Sequence, residues 1–115
     1  DDPTGAKSYA YPSLAVNANG DLFLTFASFS ESQFASAEYI YVNAAGIPST
    51  PALLKAGESA VVSTSRWGDY TTTIVDPVNG RDFWTLQMYA TNANSWGTWW
   101  ANFTLSPPKR RSARK

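Results

Sequence analysis

Residues 65–84, S-R-W-G-D-Y-T-T-T-I-V-D-P-V-N-G-R-D-F-W, restrict what this chain can fold into more than any other stretch. A Gly-Asp corner leads into a Thr/Ile/Val run, an Asp-Pro/Asn-Gly turn interrupts it, and an aromatic segment follows. β-Branched residues pack well on a pleated sheet, and Asn-Gly supplies the positive φ that a tight turn demands. The stretch therefore predicts a β-hairpin with its leading corner. Residues 9–16, Y-A-Y-P-S-L-A-V, run into N-A-N-G and continue as D-L-F-L-T-F-A-S-F. This is a second hairpin, in which Leu22, Leu24 and Phe26 share one face and Phe23 and Thr25 the other. A third strand is expected in A-E-Y-I-Y-V-N at 37–43. Ala52–Lys55 is expected as a short outer strand and 60–63 as an extended link, because the neighbouring prolines and Gly57 oppose a long helix. Phe83–Ala90, the turn T-N-A-N-S and the segment W-G-T-W-W-A-N-F-T-L complete the series. Alternation in that last segment sends Trp96 and Trp100 to one face and Trp99 and Phe103 to the other.

The two halves repeat each other. Tyr11, Val16 and Asn17 match Tyr70, Val75 and Asp76 at an offset of 59; after one inserted residue, Asn19, Gly20, Phe23 and Thr25 match Asn79, Gly80, Phe83 and Thr85 at an offset of 60. A repeat of roughly 60 residues made of strand, turn, strand, loop, strand and outer strand suits a β-propeller blade. The expected fold is all-β, about two four-stranded antiparallel propeller blades. The expected division is an N-terminal loop at 1–8, a first blade at 9–63, a second, incomplete blade at 64–106 and a basic disordered tail at 107–115. A propeller ring closes with about four to eight blades, so two must be joined by the remaining blades of a longer chain or by self-association. Two sheets packed as a small sandwich are the other arrangement.

Composition removes several function classes. Nine basic residues balance nine acidic ones, but five of the basic residues, Lys109, Arg110, Arg111, Arg114 and Lys115, lie in the last seven positions. The body is thus acidic, which argues against nucleic-acid binding by the folded part. The absence of histidine removes imidazole bases and Ser-His-Asp triads, and the absence of cysteine removes disulfides and thiolate metal sites. No apolar run has the length of a transmembrane segment, residues 1–7 lack the pattern of a signal peptide, and no cofactor is implied.

The segments R-W-G-D-Y-T-T-T-I-V-D-P-V-N-G-R-D-F-W-T-L-Q-M-Y-A and S-W-G-T-W-W-A-N-F resemble the closing blade of bacterial secreted, sialidase-like (BNR/Asp-box-type) β-propellers, where a W-G-D-Y-S corner precedes a D-P-x-x-G-x-x-F-W hairpin. The resemblance covers residues 9–105. It implies a six- or seven-bladed propeller with this chain as its C-terminal part, and an extracellular or cell-surface location. The Asp-box itself, S-x-D-x-G-x-T-W, is not met: Asp76, Gly80 and Trp84 keep its order at altered spacing, with no serine at its head.

Two chemistries compete at the corner. A sialidase-like site requires a Tyr nucleophile, a carboxylate and an arginine cluster, and Tyr70, Asp69 and Arg66 supply one of each. Alternation sends Asp69 and Tyr70 to opposite faces, however, and one arginine is not a cluster, so the sequence favours a structural corner with Asp69 accepting backbone N–H bonds and Tyr70 packed between blades. Asp76, Asn79 and Asp82 form an oxygen-rich loop with a weak calcium pattern that turn chemistry already explains. The five tryptophans and six tyrosines suit sugar stacking or a protein surface. The expected function is a non-catalytic interaction module for protein or glycan, with Arg66, Trp67, Asp69, Tyr70 and Trp84 as ligand-binding candidates. The alternatives are a sialidase-like glycoside hydrolase completed by other blades, and a self-assembling structural propeller.

Overall fold

The computed structural model describes residues 2–104. The expected basic tail at 107–115 lies outside them. Seven strands run in order, β1 (Ser8–Val16), β2 (Leu22–Ser30), β3 (Gln33–Val42), β4 (Ala52–Lys55), β5 (Thr72–Val75), β6 (Phe83–Ala90) and β7 (Trp96–Phe103), and the described residues contain no helix. They form two antiparallel sheets, β1-β2-β3-β4 and β5-β6-β7. The hairpins around Gly20 and Gly80 thus belong to separate sheets. The second sheet has three strands rather than four, and β3 begins at Gln33, so the polar segment before residue 37 is largely strand and only its tip turns.

Short Asx turns set the hairpins. Asn17 Oδ1 accepts the N–H groups of Asn19 and Asp21, Asn43 Oδ1 those of Ala45 and Ile47, and Asp76 Oδ1 those of Val78 and Asn79. In each turn the side chain does what a backbone carbonyl would do. Gly20, Gly46 and Gly80 follow at φ values of 83°, 81° and 63°, where a side chain would be strained.

The turns also fix how the halves correspond. Asn17 N–H donates to Asp21 O at 2.9 Å and Asp76 N–H to Asp82 O at 2.7 Å, so the second loop is longer by two residues. Structural equivalence therefore shifts from an offset of 59 before the turn to 61 after it, not 60. Leu22 pairs with Val42 as Phe83 pairs with Phe103, which carries the offset of 61 into β3 and β7. Phe23 thus corresponds to Trp84, and Thr25 to Leu86. The Phe and Thr residues that align in sequence instead face one another: the rings of Phe23 and Phe83 stack at 5.3 Å, and Thr25 and Thr85 Oγ1 lie 3.5 Å apart.

The sheets stack head to tail. β1 lies against β5, β2 against β5 and β6, and β3 against β6, in the same lateral order. Their loops meet at one end, where Ala18 N–H donates to Gly80 O at 3.0 Å and Asn17 Nδ2 to Arg81 O at 2.8 Å. We call the face of each sheet that points from the first towards the second its front. The front of the first sheet (Phe23, Thr25, Tyr39) covers the back of the second (Phe83, Thr85, Gln87, Phe103).

This interface has an aromatic half and a polar half. Phe23 contacts Tyr39, Phe83 and Phe103 with ring centroids 4.3–5.3 Å apart. Beyond it, Thr25 Oγ1 lies 2.7 Å from Thr73 Oγ1 and accepts from Gln87 Nε2 at 2.6 Å, while Thr73 and Thr85 hydroxyls are 3.1 Å apart. All four side chains are buried. Enclosed polar groups are tolerated only when they satisfy one another, and this network does so across the two sheets.

A bulge in β1 ties the corner to this core. The β1–β2 register shifts between Ala10 and Ser13, and Tyr11 takes a φ of 53°. Its ring lies against Gly68, which has a φ of 92°.

Candidate functional site

The residues singled out at the corner are separated by the fold. Arg66 Nη2 donates to Asp69 Oδ2 at 2.7 Å, an exposed ion pair, so Asp69 takes a guanidinium rather than the expected backbone amides. Tyr70 does not pack between the sheets. It is half exposed and stacks on Trp96 with centroids 4.9 Å apart, on the front of the second sheet. Trp67 turns partly inward, and its buried indole N–H has no hydrogen-bond partner. Trp84 stacks on Trp100 at 5.6 Å and donates its indole N–H to Asp76 Oδ2 at 2.9 Å.

The oxygen-rich loop is organised by its own donors. Besides the Asp76 bonds, Asn79 Oδ1 accepts the N–H groups of Arg81 and Asp82, and Asn79 Nδ2 donates to Asp82 Oδ2. Arg81 Nε reaches Asp82 Oδ1 at 3.3 Å. The Trp84 indole, followed by the Val78 amide, holds the Asp76 carboxyl below its usual pKa. Among the described residues, no group of three or more acids, histidines or cysteines is placed to hold a metal ion.

Among the described residues two sheet faces remain largely open, both rich in apolar side chains, with Thr72, Thr98 and Asn102 among those of the second sheet and Glu38 set into the back of the first. The front of the second sheet presents Ile74, Trp84, Leu86, Trp100 and, at its far end, Tyr70 and Trp96. The back of the first sheet presents Leu14, Val16, Leu22, Leu24, Ile40 and Val42. A groove of about 460 Å³ crosses that back face, lined by Tyr9, Pro12, Leu24, Phe26, Ile40 and Pro51.

No protein-family model, curated protein or solved structure matches this chain.

Two features escape the sequence. Glu38, 4% exposed on the back face, accepts from Lys7 Nζ at 2.9 Å and from Gln33 Nε2 at 3.5 Å through Oε1, whereas its buried Oε2 has no partner. The bond to Glu38 raises the Lys7 pKa. Lys55 Nζ lies 4.9 Å from the ring centroids of both Tyr89 and Trp99 and 3.0 Å from Glu58 Oε1. Each grouping depends on a contact between residues more than thirty positions apart, Lys7 with Glu38 and Lys55 with Tyr89 and Trp99, beside the local pairs Gln33–Glu38 and Lys55–Glu58. Trp99 takes the face opposite to Trp100, as alternation requires.

Proposed function

We propose that this chain is a non-catalytic binding module of a secreted or cell-surface protein, built as two β-propeller blades, that takes a glycan on the aromatic end of its second sheet. The Tyr70–Trp96 pair carries this reading, stacked at 4.9 Å with both rings open to solvent. Rigid aromatic faces offer large contact area at small entropic cost, and the tyrosine hydroxyl and indole N–H add polar contacts. The exposed Arg66–Asp69 ion pair just ahead in the chain supplies further donors and acceptors.

The head-to-tail stacking of two sheets in the same strand order supports the blade part of the proposal. The non-catalytic part is supported by how the acids are engaged. Asp69 is held by Arg66, Asp76 by its turn and Trp84, Asp82 by Asn79 and Arg81, and Glu38 by Lys7. Most glycosidases use two carboxylates facing one bond, and a sialidase-like site a tyrosine with a carboxylate and an arginine cluster, whereas here Arg66 is paired with Asp69.

Binding to an immobilised oligosaccharide panel tests the reading. Tyr70→Ala and Trp96→Ala are each expected to weaken binding about tenfold, equivalent to about 1.4 kcal/mol. Undiminished binding by both variants, or turnover of a sialoside by the parent protein, sinks it.

A further inference from the structure

The two open faces are alternatives to the faces already joined inside the molecule, and their chemistry is matched. Each member of the buried polar network has an apolar structural counterpart, and three of the four lie on an open face, the exception being Phe26, which Tyr9 covers. Thr25 on the front of the first sheet corresponds to Leu86 on the front of the second. Thr73, Thr85 and Gln87 on the back of the second sheet correspond to Leu14, Leu24 and Phe26 on the back of the first. Where the internal interface sets polar against polar, the open faces offer apolar for apolar at Leu86, Leu14 and Leu24, while Phe26 is already packed against Tyr9.

Size is matched as well. Phe23 and Tyr39 meet Phe83 and Phe103 inside the molecule. Their front counterparts, Trp84 and Trp100, are larger, and their back counterparts, Leu22 and Val42, are smaller. Repeating the internal stacking step would thus set Trp against Leu and Trp against Val, keeping the volume of each facing pair close to that of the original.

From these correspondences we infer that the front of the second sheet docks on the back of the first sheet of a second copy of this chain, repeating the internal stacking. A head-to-tail interface of this kind generates rings when its rotation closes. With two sheets per copy, three or four copies give six or eight, within the range of roughly four to eight sheets that close a propeller. The inference rests on the stacking geometry and not on the glycan reading; docking uses the face whose far end carries Tyr70 and Trp96, so a second copy and a glycan compete there.

Light scattering on the size-separated 115-residue chain tests it, with two variants that block opposite faces. Trp100 is 66% exposed and Leu14 57% exposed in a single copy, so Trp100→Arg and Leu14→Arg leave its core intact; circular dichroism and melting confirm folding. The parent chain is expected at three or four times its 12.6 kDa mass, and each variant alone at one times that mass. Mixing the variants is expected to restore a one-to-one pair, because each keeps the face that the other lacks. A monomeric parent chain means that something other than a second copy covers these faces and overturns the inference. It is equally overturned by folded variants that remain assembled, or by a mixture that stays monomeric.

Discussion

The ring of Tyr11 lies over the α-carbon of Gly68, in the space that any side chain at Gly68 would occupy. This contact joins the bulge of β1 to the corner that leads into the second sheet. Gly68→Ala is expected to cost about 2–4 kcal/mol, combining about 1–2 kcal/mol for positive φ with displacement of the ring. A urea midpoint within error of the parent protein would contradict this account.

Thr25 occupies the centre of the polar network, with its hydroxyl between Thr73, Gln87 and the carbonyl of Ser13. Thr25→Val keeps the shape and removes the hydroxyl. The substitution should cost on the order of 1–3 kcal/mol, because buried donors lose a partner that water cannot replace. Thr25→Ser retains the hydroxyl and should lose less; equal losses would show that packing, not hydrogen bonding, dominates here.

The Asp76 carboxyl titrates below its usual value because the Trp84 indole and the Val78 amide favour its charged form. The stabilisation this confers is complete above the ordinary carboxylate pKa, about 3.9, and is lost as pH falls through the depressed folded value. In Trp84→Phe the Asp76 pKa should move upward towards that ordinary value. Carboxyl NMR titration of both proteins reads the shift directly, and identical curves would remove the indole from the explanation.

Lys7 neutralises one oxygen of a carboxylate that is otherwise enclosed. Lys7→Met leaves Glu38 without its charge partner, and the expected loss is on the order of 1–3 kcal/mol, less than for a fully buried pair because Lys7 itself is partly exposed. The double variant Lys7→Met/Glu38→Gln should recover most of it. Failure of that recovery in a thermal melt would assign the loss to packing of the lysine stem.

The strands were legible because alternation and Asx-Gly turns are local signals. Phe83–Ala90 and the face assignments of Phe23 and Trp100 followed from them, and Ala52–Lys55 from the prolines and Gly57 that oppose a helix there. The offset between the halves was not, because residue identity aligned Phe23 with Phe83 whereas the hairpin hydrogen bonds equate Phe23 with Trp84. Similar residues had been placed opposite one another, not in equivalent positions. The corner departs from the expected packing for a related reason: Tyr70 precedes β5 and stacks on Trp96, a partner 26 positions away that strand alternation does not reach.

The threonine–glutamine network also dictates the order in which such sheets can be piled. A first sheet stacked on another first sheet would bring the Thr25 hydroxyl against Leu14, Leu24 and Phe26, leaving it only the Ser13 carbonyl of its own sheet. A second sheet on another second sheet would bury Thr73, Thr85 and Gln87 against Leu86. Both arrangements lose the bonds that Thr25 makes to Thr73 and Gln87 and put nothing in their place, which favours strict alternation, as with the two monomers of an alternating copolymer.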